Sequence, residues 1–490
     1  MWLFTRQEAK NADLLTQRSG ISEEILMERA GQASAHEIEK ELQRKKKDSS
    51  PSAVLICGSG HNGGDGFVVA STLLQKGWKI QVVCFSSDSS SELWKKKKSE
   101  FSGTIFSPEQ FLSSDLQADI WIDGLFGIGL NRPLPKLEQQ VLNAINQKQG
   151  FKVALDVPSG LDCDTGNIFD TCFKADLTLT VERPKVGFYF NLGPEMCGRI
   201  QRIQIGFSKE TIRASAQRAY LLSAPLAARW IPVRSATDHK AKGGKTLIWA
   251  GSKKMPGAAI LASHAAGRVG AGYIYVTEPQ VLSALPEAIP FQPEALNEIS
   301  SVLLGPGLGV NDQTGQALKT LRGIKQPVVV DADALSEAAL HPEDVLPFPA
   351  HWVATPHSGE LSRLLKLSSK QLESNRLEAA EKAQKALGCT VVMKGFHTVI
   401  ALPKFSVIVP TGNVALAKGG SGDVLAGIIV GLLSQQVSPE RAALLGAYIH
   451  GEIADRWVAS GRDYLSLTPT DLLQQIPQTL TRLRRKVRPT

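Results

Sequence analysis

Ala417-Lys418-Gly419-Gly420-Ser421-Gly422-Asp423, followed at once by the apolar residues 424–433, is the stretch on which the reading of this chain turns. A glycine-rich turn that opens a helix leaves backbone N–H groups unpaired and pointing outward. With the positive end of the helix they form a site for phosphate oxygens. Asp423 stands where such an anion would lie. A carboxylate is repelled by a polyphosphate, so it stabilises the bound state poorly but accepts a proton from a substrate hydroxyl well. The motif therefore points to proton-accepting chemistry beside a nucleotide.

A second such turn, Gly58-Ser59-Gly60-His61-Asn62-Gly63-Gly64-Asp65-Gly66, lies between the strand-like residues 53–57 and the helix-like residues 67–74. Two turns in unlike contexts imply two active sites. With 490 residues the chain exceeds one ordinary core, and two domains are the simplest division. Residues 11–43 read as helix. Beyond them short β-branched runs at 53–57, 80–85, 119–122, 153–155 and 177–181 alternate with segments of helical period. That alternation predicts a mainly parallel sheet with helices on both faces. Periodicity fades between 202 and 236, which sets a boundary near 217–224. It then resumes, with strands expected at 246–250, 273–277, 301–304, 327–330, 352–354 and 390–393, and helices at 257–269, 358–365 and 373–387. The expected domains are 1–216 and 224–490, both α/β, without an internal repeat joining them.

Composition limits the alternatives. The chain is 43% hydrophobic and 21% charged, with no apolar run long enough to cross a bilayer. Residues 1–10 carry Arg6, Glu8 and Lys10, unlike a secretory signal, and the six cysteines show no metal-ligand spacing. A cytoplasmic protein with free thiols is expected. The net charge of +8 is concentrated at residues 44–47, 95–98 and 482–488. These runs lack interleaved aromatics and read as solvated surface, so neither nucleic acid nor membrane is an expected partner.

Gly58, Gly60 and Gly63 satisfy the spacing of a dinucleotide-binding turn, but only Asp88 could supply the acidic residue after the next strand. A different set forms at strand ends, where Asp123-Gly124-Leu125-Phe126-Gly127-Ile128-Gly129-Leu130-Asn131-Arg132 and Asp156-Val157-Pro158-Ser159-Gly160-Leu161-Asp162 each follow a strand. Parallel strands bring their carboxyl ends to one edge, which unites Asn62, Asp123, Asp156 and Ser159. Oxygen donors without a His or Cys cluster suit a hard cation, although each Asp could instead cap a helix or turn.

These residues, with Met27-Glu28-Arg29-Ala30-Gly31, resemble the YjeF N-terminal, NAD(P)H-hydrate epimerase family over about residues 1–216. The resemblance implies a Rossmann-like three-layer sandwich, with K⁺ held by Asn62, Asp123 and Ser159. It implies hydrated nicotinamide (NADHX or NADPHX) bound by His61, Asn62, Gly63, Gly64, Asp65, by Gly127, Ile128, Gly129, Leu130, Asn131, Arg132, Pro133, and by Asp156, the candidate acid/base. His61 departs from the asparagine usual there.

The second half carries, in order, His239-Lys240, Gly251-Ser252, Met255-Pro256-Gly257-Ala258-Ala259, Gly305-Pro306-Gly307-Leu308-Gly309, Asp331-Ala332-Asp333-Ala334-Leu335, Thr355-Pro356-His357-Ser358-Gly359-Glu360, Lys394-Gly395-Phe396-His397-Thr398 and the first turn quoted. It resembles the ribokinase-like, ADP-dependent NAD(P)H-hydrate dehydratase family, with Ser358 in place of the usual proline. That resemblance implies hydrated nicotinamide at Ala259, Gly307, His357 and Asp423. It further implies ADP at Lys394, Gly395, Phe396, His397, Thr398 and Gly422, with Mg²⁺ beside the phosphates, Asp423 as catalytic base, and a homotetramer. Asp331 and Asp333 read as metal or phosphate ligands or as helix caps. Two rivals stand beside this reading. One is a ribokinase-like small-molecule kinase with an N-terminal nucleotide-binding module, and the other a nucleotide-sensing or RNA-associated protein.

Overall fold

The computed structural model describes residues 1–44, 51–87 and 90–486. Asp88, Lys45, Lys46, Lys47 and Arg488, all named above for their charge, lie outside the described residues. The chain divides into two compact units, Trp2–Ala219 and Tyr220–Thr490, with Met1 grouping with the second.

In the first unit, β1 (Ser52–Cys57) sends successive side chains to opposite faces. Ala53, Leu55 and Cys57 join Phe67, Val69 and Leu73 in one cluster, while Val54 and Ile56 join Val141, Leu142 and Ile145 in another. Burial on both faces is what a parallel sheet between two helix layers requires. The other strands are β2 (Lys79–Cys84), β3 (Thr104–Phe106), β4 (Ile120–Gly124), β5 (Phe151–Leu155), β6 (Leu177–Val181) and β7 (Arg199–Ile203). All pair in parallel, in the spatial order β3-β2-β1-β4-β5-β6-β7. The order reverses between β1 and β4, and ligands bind such sheets in the crevice outside the strand ends at that point.

The second unit carries a ten-stranded sheet. Its strands are β8 (Ala219–Leu221), β9 (Lys245–Trp249), β10 (Tyr273–Val276), β11 (Ile289–Pro290), β12 (Ser301–Leu304), β13 (Val328–Val330), β14 (Val353–Ala354), β15 (Thr390–Met393), β16 (Val399–Ala401) and β17 (Ser406–Ile408). They lie in the order β11-β10-β9-β12-β13-β14-β15-β16-β17-β8. The run from β11 to β15 is parallel, whereas β15, β16 and β17 are antiparallel. Here the reversal falls between β9 and β12. Helix Ser421–Ser434 packs on helix Pro256–Val269 through a seam of small residues, where a Cβ on Gly427 would stand 2.4 Å from the Ala262 carbonyl oxygen. Close backbone approach there fixes the helix whose first turn bears Asp423.

Two expectations are corrected. The helix expected at 11–43 is two, Arg6–Arg18 and Glu23–Arg44. Gly20, at φ +99°, breaks them where a non-glycine residue would be strained. The helix at 373–387 is also split, into Ser369–Ser374 and Arg376–Leu387, with Asn375 capping the second through Glu378 N–H. The unit boundary at Ala219 and Tyr220 falls within the expected 217–224, and β8, ahead of residue 224, pairs in the second sheet. No helix among the described residues is long and apolar enough to cross a membrane.

Candidate active sites

At the first reversal, the end of β1 runs through Gly58 and Gly60 into helix His61–Gln75, so the helix begins inside the glycine-rich turn and puts Asn62 in its first turn. Asp123 sits on β4 beside Ile56 of β1. Its carboxylate is wholly buried and accepts three hydrogen bonds, from Ser159 N–H at 2.7 Å, Ser159 Oγ at 2.7 Å and Leu125 N–H at 3.1 Å. Ser159 Oγ in turn accepts from Phe126 N–H at 2.8 Å, and Asn62 Nδ2 donates to the Phe126 carbonyl at 3.0 Å. The sequence-predicted set Asn62, Asp123 and Ser159 is therefore one connected cluster. Burial pushes the Asp123 carboxyl up to about 6, and the bonds from Ser159 and Leu125 only partly offset it. No ion pair neutralises this carboxylate among the described residues. A buried carboxylate among oxygen donors and without a cationic partner fits a hard cation such as K⁺.

Beside this cluster opens a cavity of about 740 Å³, walled by Asn62, Asp65, His61, the loop at residues 125–132 and Asp156. Gly63, Gly64 and Pro133 do not line it. Gly63 instead packs on the turn itself, where a Cβ would stand 1.8 Å from the Gly58 carbonyl oxygen. His61 is exposed at the rim and pairs with Glu23. Asp156 holds φ +59° and accepts from Val181 N–H at 3.0 Å. It is ion-paired with Lys185, whose buried ammonium also donates to Thr180 Oγ1 at 3.0 Å and the Val181 carbonyl at 3.2 Å. Sequence reasoning missed Lys185, Asp13 and Glu23. Lys185 lies just past the end of β6, the same strand-end signal that found Asp123 and Asp156. Asp13 and Glu23 come from the N-terminal helices, where no turn chemistry marks them.

The second constellation gathers at the ends of β9, β12, β13 and β15. Gly307 would place a Cβ 3.1 Å from Ala258 Cβ, which brings its loop against the start of helix Pro256–Val269 and its Ala259. Gly309 N–H donates to Asp333 Oδ2 at 2.8 Å, and Asp331 pairs with Lys394 at 2.8 Å. Neither aspartate caps the helix Asp333–Leu340, whose N-terminal end has no side-chain cap; the helix-cap alternative is thereby corrected. A Cβ on Gly422 would lie 3.5 Å from Lys394 Nζ, so the first quoted turn closes over this pair. Burial, followed by the charge of Asp331, pushes the Asp423 carboxyl up to about 6, while Lys394 pulls it partly back. Burial pulls the Lys394 ammonium down, but Asp331, Glu360 and Asp423 more than offset this and leave it raised.

His357 caps helix Ser358–Leu365. Its Nδ1 accepts from Gly359 N–H at 2.9 Å, and Nε2 lies 3.2 Å from Glu360 Oε1. Phe396 and His397 stack with ring centroids 4.1 Å apart, and Phe396 is exposed at the tip of the loop after Lys394. Two supports went unread in the sequence. His450 Nε2 lies 3.0 Å from Ser421 Oγ beneath the glycine turn, and buried Arg376 donates to the Met393 and Lys394 carbonyls at 3.4 and 3.3 Å. Both stand on helices, where a lone histidine or arginine at helical spacing carries no signal.

A doubly wound sheet with a carboxylate-lined cleft and, in the second unit, a ribokinase-like sheet with a lysine–aspartate pair under a glycine turn define a two-site α/β enzyme of nucleotide chemistry. Residues 246–478 match the family described as NAD(P)H-hydrate dehydratase, and residues 23–187 match the YjeF-related protein N-terminus. The bifunctional NAD(P)H-hydrate repair enzyme of Moorella thermoacetica is 33% identical, over 99% of this chain and 98% of its own length. That of Escherichia coli is 31% identical over 92% of this chain and 87% of its own. The ADP/ATP-dependent NAD(P)H-hydrate dehydratase of Bacillus subtilis, crystallised with ATP/Mg²⁺, is 32% identical over 53% of this chain and 97% of its own, with a TM-score of 0.49. The chain belongs to the family of bifunctional NAD(P)H-hydrate repair enzymes, which combine an epimerase with a dehydratase and restore hydrated NADH and NADPH.

Proposed function

We propose that the Trp2–Ala219 unit interconverts the R and S epimers at C6 of the hydrated nicotinamide, with Asp156 as acid/base. The Tyr220–Thr490 unit dehydrates the S form at the expense of ADP, giving AMP, phosphate and the reduced cofactor. The observation that carries the second assignment is the raised Asp423 carboxyl in the first turn of a helix, beside the Lys394–Asp331 pair. The ring hydroxyl leaves poorly until phosphorylated. Asp423 takes its proton as the hydroxyl oxygen attacks the terminal phosphorus of ADP, and AMP departs. On this reading the backbone N–H groups of Gly419, Gly420 and Gly422, which have no backbone partner among the described residues, and the Lys394 ammonium face the charge that develops on the transferred group. Phosphate then leaves C6 with the C–O bonding pair while a proton is lost from C5 to the departing phosphate or water, and the C5=C6 double bond of the dihydronicotinamide is restored.

Residues 394–398 and Gly422 hold ADP on this reading, and Ala259, Gly307 and His357 line the nicotinamide. Asp331 and the substrate phosphates suit Mg²⁺, which supplies neutralisation of phosphate charge when bound. Asn62, Asp123 and Ser159 would hold K⁺, which would supply a fixed positive charge to the epimerase site. The rest of the nicotinamide contacts fall to His61, Asp65 and residues 127–132. A homotetramer in the cytoplasm accompanies this reading, and sedimentation velocity checks the tetramer.

Incubating the protein with an epimer mixture of NADHX and ADP, while following the reduced-nicotinamide absorbance, tests the whole scheme. Full recovery with one AMP and one phosphate per cofactor is expected. Release of a stable phosphorylated product would instead favour the small-molecule kinase, and no turnover would favour the binding protein.

A further inference from the structure

We infer that Asp13 is a second catalytic residue of the epimerase cavity, paired with Asp156 and exchanging a proton with the substrate ring nitrogen. The inference rests on the assignment of Asp156 above and adds a residue to it. Asp13 reaches the cavity wall from helix Arg6–Arg18, and Asp156 and Lys185 belong to the same wall. Its carboxyl forms no hydrogen bond or ion pair among the described residues, so nothing in the protein occupies it. Asp156 differs: its carboxylate is bound to the Lys185 ammonium and to Val181 N–H.

Charged groups reach Asp13 from several elements. Asp156 and Glu23 raise its carboxyl, Lys185 and His61 lower it, and burial dominates, leaving it at about 6. Asp65 faces the same cavity, and Lys10 stands one turn before Asp13 on its own helix. Asp65 is pushed far higher by burial, then by Asp156, Asp13 and Glu23, with no cation opposing. Two carboxyls in unlike surroundings, one paired with a lysine and one half-buried without a hydrogen-bonding partner among the described residues and raised to about 6, are the arrangement that assigns a base and an acid.

The chemistry requires such a pair. C6 of the hydrated ring bears a hydroxyl and the ring nitrogen N1. Asp156 takes the hydroxyl proton, the oxygen electrons form a carbonyl, and the C6–N1 bond breaks with its electron pair passing to N1. Asp13 delivers its proton to N1. Rotation about C5–C6 turns the other carbonyl face to the nitrogen. In the reverse step N1 attacks, its proton returns to Asp13, and the new alkoxide recovers its proton from Asp156. Atoms, charge and oxidation state balance with no further reactant. Lys185 acts as a positioning residue, through Asp156.

The test uses the full-length protein with purified R epimer and excess ADP, so that epimerisation limits recovery of NADH. Asp13→Asn is expected to lower the epimerisation kcat roughly 10²–10⁴-fold with KM and S-epimer dehydration unchanged. Wild-type epimerisation should fall on the alkaline side of a midpoint near pH 6, since the acid must be protonated, and the residual rate of Asp13→Asn should lack that limb. A folded Asp13→Asn with the wild-type rate, or with a low rate that keeps the alkaline limb, overturns the inference. So does a wild-type rate that stays level from pH 5 to 8, a measurement that needs no variant to fold. Asp156→Asn run beside it separates the two assignments: if it too is unimpaired, the reading of Asp156 fails, whereas its loss with a normal Asp13→Asn removes Asp13 alone.

Discussion

Asp423 and Asp123 were both legible as single residues, since each sits in a strand-end or helix-start motif whose chemistry selects a carboxylate. Their surroundings were not. Lys394 reaches Asp331 across 63 positions of sequence, and no spacing rule spans that distance. The consequence is measurable at Asp423. With Asp423 as the proposed base, which must be ionised to act, dehydration should fall as pH drops through about 6. Lys394→Met removes a positive charge that lowers the Asp423 carboxyl, so at saturating ADP the acid limb of kcat should move to higher pH. Asp423→Ala should cost roughly 10²–10⁴ in dehydration while epimerisation is unaffected. Asp123 gives a prediction in stability. Its folded carboxyl, at about 6, lies above the ordinary value, so its contribution is full at low pH and is lost as pH rises through about 6. A bound K⁺ offsets the buried charge only where that charge exists. Adding K⁺ in place of tetramethylammonium should therefore raise the melting temperature at pH 8 and leave it unchanged at pH 5. Asp123→Asn should abolish the difference.

At the scale of elements, the buried central strands were found from their apolar runs, and the peripheral ones were not. β3 is three residues long with two exposed, and β7 reads Arg-Ile-Gln-Arg-Ile, so neither presents the continuous apolar stretch of a strand covered on both faces. The hairpin strands β16 and β17 are buried but only three residues each, too short for periodicity to register. Helix starts were placed late for a different reason. Glycine argues against helix by propensity, yet helices His61–Gln75 and Ser421–Ser434 both begin inside glycine-rich turns because close packing, which leaves no room for a Cβ at Gly63 or Gly420, outweighs it. Gly63 tests this at the first turn. A Cβ there meets the Gly58 carbonyl oxygen at 1.8 Å, and backbone cannot swing aside as a side chain can. Gly63→Ala should destabilise the first unit by about 1–3 kcal/mol and lower epimerase activity. Gly129→Ala, with nothing within 4 Å of its Cβ, should change stability by less than about 0.5 kcal/mol. Calorimetry of the two variants checks both.

For the whole molecule, the alternation of strand and helix sufficed to predict two α/β units, but the boundary depends on a pairing that sequence does not display. Residues 219–221 carry no strand signature beyond Ala-Tyr-Leu, yet they form the edge strand beside β17, and Leu222 N–H donates to the Ile408 carbonyl at 3.0 Å. Leu222 itself is buried in the core of the second unit. A fragment begun at residue 224 therefore uncovers the β17 edge and removes an apolar side chain from the core, whereas one begun at residue 217 keeps both. Fragment 217–490 should fold and melt at a higher temperature than 224–490, which should also aggregate more readily through its open edge. Given an epimer mixture and ADP, 217–490 should consume only the S form, leaving the R form to convert by its slow spontaneous route. Adding residues 1–216 in trans should restore full consumption, because the epimers diffuse freely between two sites that share no residue. Equal rates for both epimers with 217–490 alone would place epimerisation in the second unit and remove the division of labour between the sheets.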